Sequence, residues 1–454
     1  MTRIILTDAS VGGVRGCTVV AEDGLITEIT TSGTPGAQNG AIDANGGAVL
    51  PALWDHHVHL FAAAARAWSV NVAEVRDVRT FAAMVQAASR RWGGQPVRVV
   101  GYDDDALGPL DGNRLDSLVP CDVPVRVQHR SGHQWVLNSA ARLARGKAGK
   151  PVSGDGIVWG QDSPAAAAGP DALRSQQEVS ALARNIAAQG CAGATDMSAT
   201  STRSDVELLR SLLEPVLSLE AYGSPDEGLE AVKRIAPDHR YPDPEEVAGW
   251  VRPGSGRVAI HTVTAETLAL IVAGGGELGP HVRLEHVFMA SRDLLAGLSG
   301  TGVELGIHPG FIHSHGDRVL GALAPAEVRN YQPLATMRRA GFRMFGGTDR
   351  PYGPGSVWQA MESAVTRRTR AGVLLGGREF LTPEEALALF TRDGLHGEAP
   401  VPAVRAGQPA DFCVLDRDWK TARSALSRVR PLLTVTGGTV TAGAAAAPGA
   451  EEGP

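Results

Sequence analysis

The sequence predicts an α/β protein: a (β/α)8 TIM barrel with a small β-sandwich domain formed by both chain ends and an insertion after the first barrel strand. Three observations predict it. Apolar and polar residues alternate over 3–31, and strand-like runs return at Ala410–Leu415 and Leu432–Val435, so strands open and close the chain. Between these ends, short apolar runs take turns with helical stretches, the pattern of a parallel α/β fold rather than of a sandwich. The barrel runs number eight, the count of a closed barrel.

Taken in order, Glu22-Asp23-Gly24 falls between two alternating runs, and Asp-Gly in that setting predicts a tight hairpin. Barrel strands are expected at 49–53, 192–197, 216–222, 231–236, 257–261, 283–287, 303–308 and 342–348. The fourth is ambiguous, since DEGLEAVKRI also fits a helix. Two more strands, 97–102 and 123–129, fall in the long stretch between the first and second barrel strands, which reads as an insertion over about 95–170. Thr382-Pro383-Glu384-Glu385 combines an N-cap, a first-turn proline and a capping-box glutamate, so a helix starts there and packs outside the barrel. The expected domains are 1–48 with 400–440 as the β-sandwich, 49–399 as the barrel, and 441–454 as a disordered tail of small residues.

At 454 residues, with 43% apolar and 20% charged, the chain can bury a large core, which excludes wholesale disorder. Its net charge of -6, without any block of like charge, offers nothing to nucleic acid or to an anionic membrane, so the expected partner is a small-molecule substrate. A homodimer is the assembly left open. Cys17, Cys121, Cys191 and Cys413 lie far apart without a CxxC pair, which reads as free buried thiols rather than a disulfide framework or cysteine zinc site. MTRIILTDAS turns polar quickly and no run approaches the ~18 apolar residues of a membrane span, so a cytoplasmic location is expected.

The chemistry concentrates at strand ends. In Asp55-His56-His57-Val58-His59, the alternate residues His57 and His59 of an extended segment point to one side, where two neutral imidazoles can hold a divalent metal. His261 ends RVAIH and His286 ends RLEH, which brings two more imidazoles to the same rim. Asp349 follows the last strand, FRMFGGT; a carboxylate there is costly to bury unless a cation stands beside it, where it serves as a ligand or as a base for water.

This constellation resembles the amidohydrolase superfamily, with HxH after the first strand, histidines after the fifth and sixth and aspartate after the eighth. The blocks VLPALWDHHVHL, SGHQWVLNSAARL, VAIHTVTAETLAL, RLEHVFMAS, GTDRPYGPGSVWQAMESAVTRR, LTPEEALALFT and AGQPADFCVLDRD resemble those of its YtcJ-like group, amidohydrolase family 3, which includes N-substituted formamide deformylase. The resemblance runs from about residue 1 to 440. It implies a distorted TIM barrel and a metal-dependent hydrolase acting on carbon–nitrogen bonds other than peptide bonds. The expected cofactor is zinc, as one ion or two. In that family a carbamylated lysine after the fourth strand often bridges two metals, and Lys233 loosely matches its block. An exposed lysine on a short helix is the competing reading.

Several positions depart from the family pattern. Gly156–Gln161 replaces an aliphatic-x-x-Glu step, Thr264-Ala265 replaces Gly-Asp, and His308-Pro309 replaces Gln-Pro. They bear on the substrate rather than on the metal. His133 matches a family block and is a candidate substrate contact, as is His308, which forms with His313 and His315 a cluster read as a solvated, substrate-facing loop. Arg350 stands where the family has a small residue, and its guanidinium fork suits a substrate carboxylate or a carboxylate of the protein. The resemblance implies hydrolysis of an amide or an N-formyl or N-acyl amine, with Asp349 passing the water's proton to the leaving nitrogen. A deaminase or cyclic amidase is the alternative. For deamination, related enzymes carry a glutamate where this chain has Thr264, although Glu266 is near. A non-catalytic metabolite-binding barrel is less consistent with a complete set of ligands.

Overall fold

The computed structural model describes residues 2–443 except 32–39, 121, 148, 150–151, 153, 161–171, 237–240, 255, 398 and 400–402. Cys121, Gln161 and residues 444–454 of the expected tail lie outside the described residues, while 441–443 complete the strand Thr439–Gly443 instead of belonging to a tail. The chain divides into two compact units, Leu60–Val179 and the remainder, Met1–His59 with Ser180–Pro454.

In the larger unit, Leu53–Val58, Cys191–Asp196 and Ser218–Ala221 form a three-stranded parallel sheet. Ala231–Ile235, Arg257–Thr262, Val282–His286, Glu304–Ile307 and Arg343–Gly346 form a five-stranded parallel sheet in chain order. Single parallel bridges, Gly223 to Val232 and Val58 to Arg350, link the two sheets at either end. Buried strands of this kind read as apolar runs because both faces are covered. Helices follow most of the strands. Arg203–Leu213 starts on a Thr202–Asp205 capping box and buries Val206, Leu209 and Leu213, one face at helical spacing. Each such side chain contributes about 1.5–3 kcal/mol by leaving water. The helix Pro383–Ala388 begins where expected, with the Thr382 side chain accepting from the Glu385 amide.

One expected strand needs correction. The run 49–53 divides at Ala52: Val49–Pro51 pairs antiparallel with Phe412–Leu415 in a small sheet, and the parallel strand begins only at Leu53. Pro51, with no amide hydrogen, ends an edge strand, a place where proline is tolerated. His57 therefore lies within the parallel strand, and only His59 follows it.

Two four-stranded sheets come from the chain ends. One holds Arg3–Val11, Val14–Glu22, Leu25–Thr30 and Ile42–Asp43; the other holds Val49–Pro51, Phe412–Leu415, Pro431–Thr436 and Thr439–Gly443. They share an apolar core that includes Leu6, Val19, Ile26, Phe412, Val414 and Val435. Asp23 and Gly24 both take positive φ, 48° and 84°, as a tight hairpin of this hand requires.

The smaller unit, which begins earlier than residue 95, carries a five-stranded sheet in the order Ile157–Trp159, Gln134–Leu137, Val125–His129, Val97–Tyr102, Ser69–Asn71. Its core includes Phe81, Val99, Leu115, Val125 and Val127. Cys17, Cys191 and Cys413 are free and buried. Among the described residues, no helix is long and apolar enough to cross a membrane.

Candidate metal centre

His57, His59, His286 and Asp349 meet at the C-terminal ends of the first, sixth and eighth parallel strands. The backbone holds them there: the Asp349 amide donates to His57 O at 2.8 Å and the His59 amide to Arg350 O at 2.8 Å. Below them, Asp55 accepts from the Thr348 amide at 2.9 Å and from its hydroxyl at 2.5 Å, which pins the segment before Asp349 to the first strand. Burial raises the Asp55 pKa, against the opposing effect of these bonds. Gly347 permits the approach, since a Cβ there would lie 2.4 Å from His57 Cβ. His286, Val287 and Asp349 have φ of 74°, 44° and 54°. Left-handed backbone at such residues costs about 1–3 kcal/mol each, and such strain gathers at functional sites.

The side chains converge. Asp349 Oδ1 lies 3.3 Å from His59 Nε2 and 3.5 Å from His57 Nε2, and its Oδ2 lies 4.0 Å from His286 Nδ1. His261 joins through His286, with ring centroids 4.4 Å apart; the His57 and His286 rings are 5.1 Å apart. His59 Nδ1 is 3.4 Å from Ser198 Oγ, whose hydroxyl donates to Asp196. His57 and His286 are buried, and burial holds both pKa values well below 6.5, so both rings are neutral and keep a lone pair. His56, one residue out of phase, points away to the carbonyl of Thr391 at 2.8 Å.

Lys233 lies in a strand and not on a helix, and it is buried, with Nζ lacking a hydrogen-bond partner. Ile235 rather than Lys233 is level with His261, so its backbone sits one layer deeper than the histidines. Burial, offset by the charges of Glu285 and Asp349, lowers its pKa to about 8.

The expected solvated loop around His308 is not found. The chain passes from the strand Glu304–Ile307 straight into the helix Gly310–Ala322, which leaves His308 fully buried and puts His313 and His315 on the helix. The His308 ring stacks on His286 at 4.4 Å, and burial takes its pKa down to about 3. Arg350 is 8% exposed, and its Nη1 donates to Asn185 Oδ1 at 3.0 Å, so the fork faces a protein acceptor and not an open pocket mouth. His133 belongs to the smaller unit, on the turn before Gln134–Leu137, with its carbonyl accepting from Gly160. Thr264 caps the helix Ala265–Gly274, and Glu266 is exposed on its first turn.

Two residues not anticipated from the sequence are Arg283 and Glu285. Glu285 Oε2 lies 2.6 Å from His57 Nδ1 and 3.8 Å from His308 Nε2. The signal for them was a pair of opposite charges two residues apart in a strand buried along its whole length.

His57, His59 and Asp349 present donors close enough to share one ion, and His57, Glu285 and His308 form a second such group. His57 Nε2, His286 Nδ1 and Asp349 Oδ1 are buried without hydrogen-bond partners. Orphaned buried donors and acceptors are rare, and several aimed at one point fit a bound cation.

Residues 40–442 match the sequence profile of the amidohydrolase family. Over 142 residues the chain is 31% identical to N-substituted formamide deformylase from Arthrobacter pascens; the match covers 30% of this chain and 26% of that protein. Among solved structures, an uncharacterized metal-dependent hydrolase from Pyrococcus horikoshii has a TM-score of 0.67 at 17% identity, covering 92% of this chain and 98% of that chain. N-isopropylammelide isopropylaminohydrolase from Burkholderia multivorans has a TM-score of 0.53 at 16% identity, covering 97% and 98%. At these identities the likeness is one of fold.

Proposed function

Because this chain belongs to the amidohydrolase family, we propose that it is a metal-dependent hydrolase of a carbon–nitrogen bond in a small molecule, with an amide or an N-formyl or N-acyl amine as substrate. The observation that carries the proposal is the convergence of His57, His59 and Asp349 with buried His57 Nε2 and Asp349 Oδ1 left unpartnered. We read the two parallel sheets as one distorted, closed barrel, a reading supported by the two linking bridges. The small sheets read as a β-sandwich, supported by their common core.

We assign to the ion His57, His59, His261, His286 and Asp349, with Lys233 as a further ligand for a second ion if carbamylated. Neutral imidazoles and a carboxylate suit zinc. When bound, a divalent ion polarises the scissile carbonyl and acidifies water. Asp349 takes the proton of the attacking water on its carboxylate and returns it to the leaving nitrogen. Ser198 and Asp196 orient His59 from behind, through its Nδ1. Amide hydrolysis is preferred to deamination because Thr264 is occupied as a helix cap and Glu266 faces solvent.

The test pairs metal analysis of purified protein with amine release from a panel of N-formyl and N-acyl amines. Bound zinc, and amine release that ends on chelation and in His57→Ala, are expected. Release that persists in metal-free protein overturns the metal assignment. Metal-loaded protein that releases no amine from any member of the panel overturns the substrate class.

A further inference from the structure

In the strand Val282–His286, Arg283 and Glu285 project to the same side, and both are buried. Glu285 Oε1 forms an ion pair with Arg283 Nε at 2.7 Å, while Oε2 faces His57 Nδ1 at 2.6 Å. Arg283 is anchored in turn, with Nη2 donating to His56 O at 2.8 Å. Gly306, on the neighbouring strand, leaves room for the carboxylate: a Cβ there would come within 2.1 Å of Oε2. An ionised carboxylate only accepts, so the proton between it and His57 sits on Nδ1. The other ring nitrogen, Nε2, then carries the lone pair and faces Asp349 Oδ1 at 3.5 Å.

We propose that Arg283 and Glu285 are a positioning pair that locks His57 in its Nδ1-protonated tautomer and aims the Nε2 lone pair at the metal locus. The second half rests on the proposed metal role of His57; the tautomer lock does not. Charge fixes the direction of the lock. Arginine has only donors, so the atom beside it at Glu285 Oε1 must be an acceptor. In Glu285→Gln the carbonyl oxygen therefore turns to Arg283 and the amide NH2 turns to His57 Nδ1. That nitrogen must then accept, and the ring proton moves to Nε2, where it removes the ligand lone pair. Replacing Arg283 as well frees the amide to rotate and present its oxygen to Nδ1 again.

The test uses metal-free full-length protein labelled with 15N-histidine, in which long-range 1H–15N spectra report each tautomer and comparison with His57→Ala identifies His57. Zinc affinity is measured by competition with a chromogenic chelator. Glu285→Gln is expected to switch His57 to Nε2–H and to weaken zinc binding 10–100-fold, as loss of a partner behind a ligand does. Adding Arg283→Met should restore Nδ1–H and recover most of the affinity, whereas a pair that merely supports the fold would lose more with each change. Retention of Nδ1–H in Glu285→Gln overturns the lock, and this single variant decides if the double variant does not fold. A switched tautomer with unchanged zinc affinity upholds the lock and overturns the metal role of His57.

Discussion

Removing a buried charge should stabilise the metal-free protein. Lys233 is 2% exposed with Nζ unpartnered, and burial, opposed by Glu285 and Asp349, brings its pKa from 10.5 to about 8. At about 1.36 kcal/mol per decade of proton affinity, the protonated side chain costs the folded state roughly 3 kcal/mol. Because the folded pKa lies below the unfolded one, the penalty is present in full below pH 8. Between pH 8 and 10.5 the unfolded chain binds more protons than the folded one, so wild-type stability rises with pH. Lys233→Met fills similar space without the charge. Metal-free variant should exceed metal-free wild type by about 3 kcal/mol at pH 7, with the gap closing towards pH 10.5. Urea unfolding followed by tryptophan fluorescence can read this, since Trp54, Trp250 and Trp358 lie in the same unit as Lys233. The price of the gain should be function, as zinc uptake falls with loss of a proposed ligand. A variant less stable than wild type at pH 7, or a gap independent of pH, refutes the reasoning.

Asp349→Asn should fold normally and release amine about 10²–10⁴-fold more slowly, the range for loss of a proton-transfer group; a loss below tenfold in steady-state assays argues against its role. Gly306→Ala drives a Cβ to 2.1 Å from Glu285 Oε2. It should destabilise by about 1–3 kcal/mol and lower zinc affinity as the carboxylate is displaced, so wild-type values in both calorimetry and chelator competition contradict it. The fully buried Arg367 donates to the carbonyls of Leu375, Gln332 and Tyr331 at 2.7, 2.9 and 2.9 Å. Arg367→Met should cost about 3 kcal/mol or more by orphaning them, measurable as a lower urea midpoint, with zinc content per folded molecule unchanged.

The strand ends were legible because a parallel strand buried on both faces reads as an apolar run, and a histidine or aspartate that breaks the run at its end stands out. His261, His286 and Asp349 were read in that way, and His57 and His59 from their alternation on an extended segment. VLPALW, by contrast, is one unbroken apolar stretch, so its division between two sheets was visible only in Pro51. Arg283 and Glu285 were not legible because two nearby opposite charges in a sequence also fit a solvated strand; their cost of burial becomes a signal only once the strand is covered on both faces. His308 was misplaced because HPGFIHSHG looks like a polar loop, whereas Phe311 and Ile312 bury themselves and begin a helix at once. Thr348 and Asp55, which fasten the site's backbone, carry no pattern along the chain; they meet only when the first and last parallel strands lie side by side.

Val49–Pro51 finds its partner, Phe412–Leu415, about 360 residues later. At synthesis rates of about 5–20 residues per second, that partner leaves the ribosome roughly 20–70 s after the first. Meanwhile the Arg3–Glu22 hairpin can pair locally, yet Leu6, Val19 and Ile26 wait for Phe412, Val414 and Val435 to cover them. Only Ala52 separates this late-closing sheet from the strand that carries His57. The root of that strand is therefore secured only once Phe412–Leu415 has emerged. Damage to Phe412 or Val435 should show first as nascent protein lost to aggregation, and only afterwards, in the molecules that survive, as altered turnover.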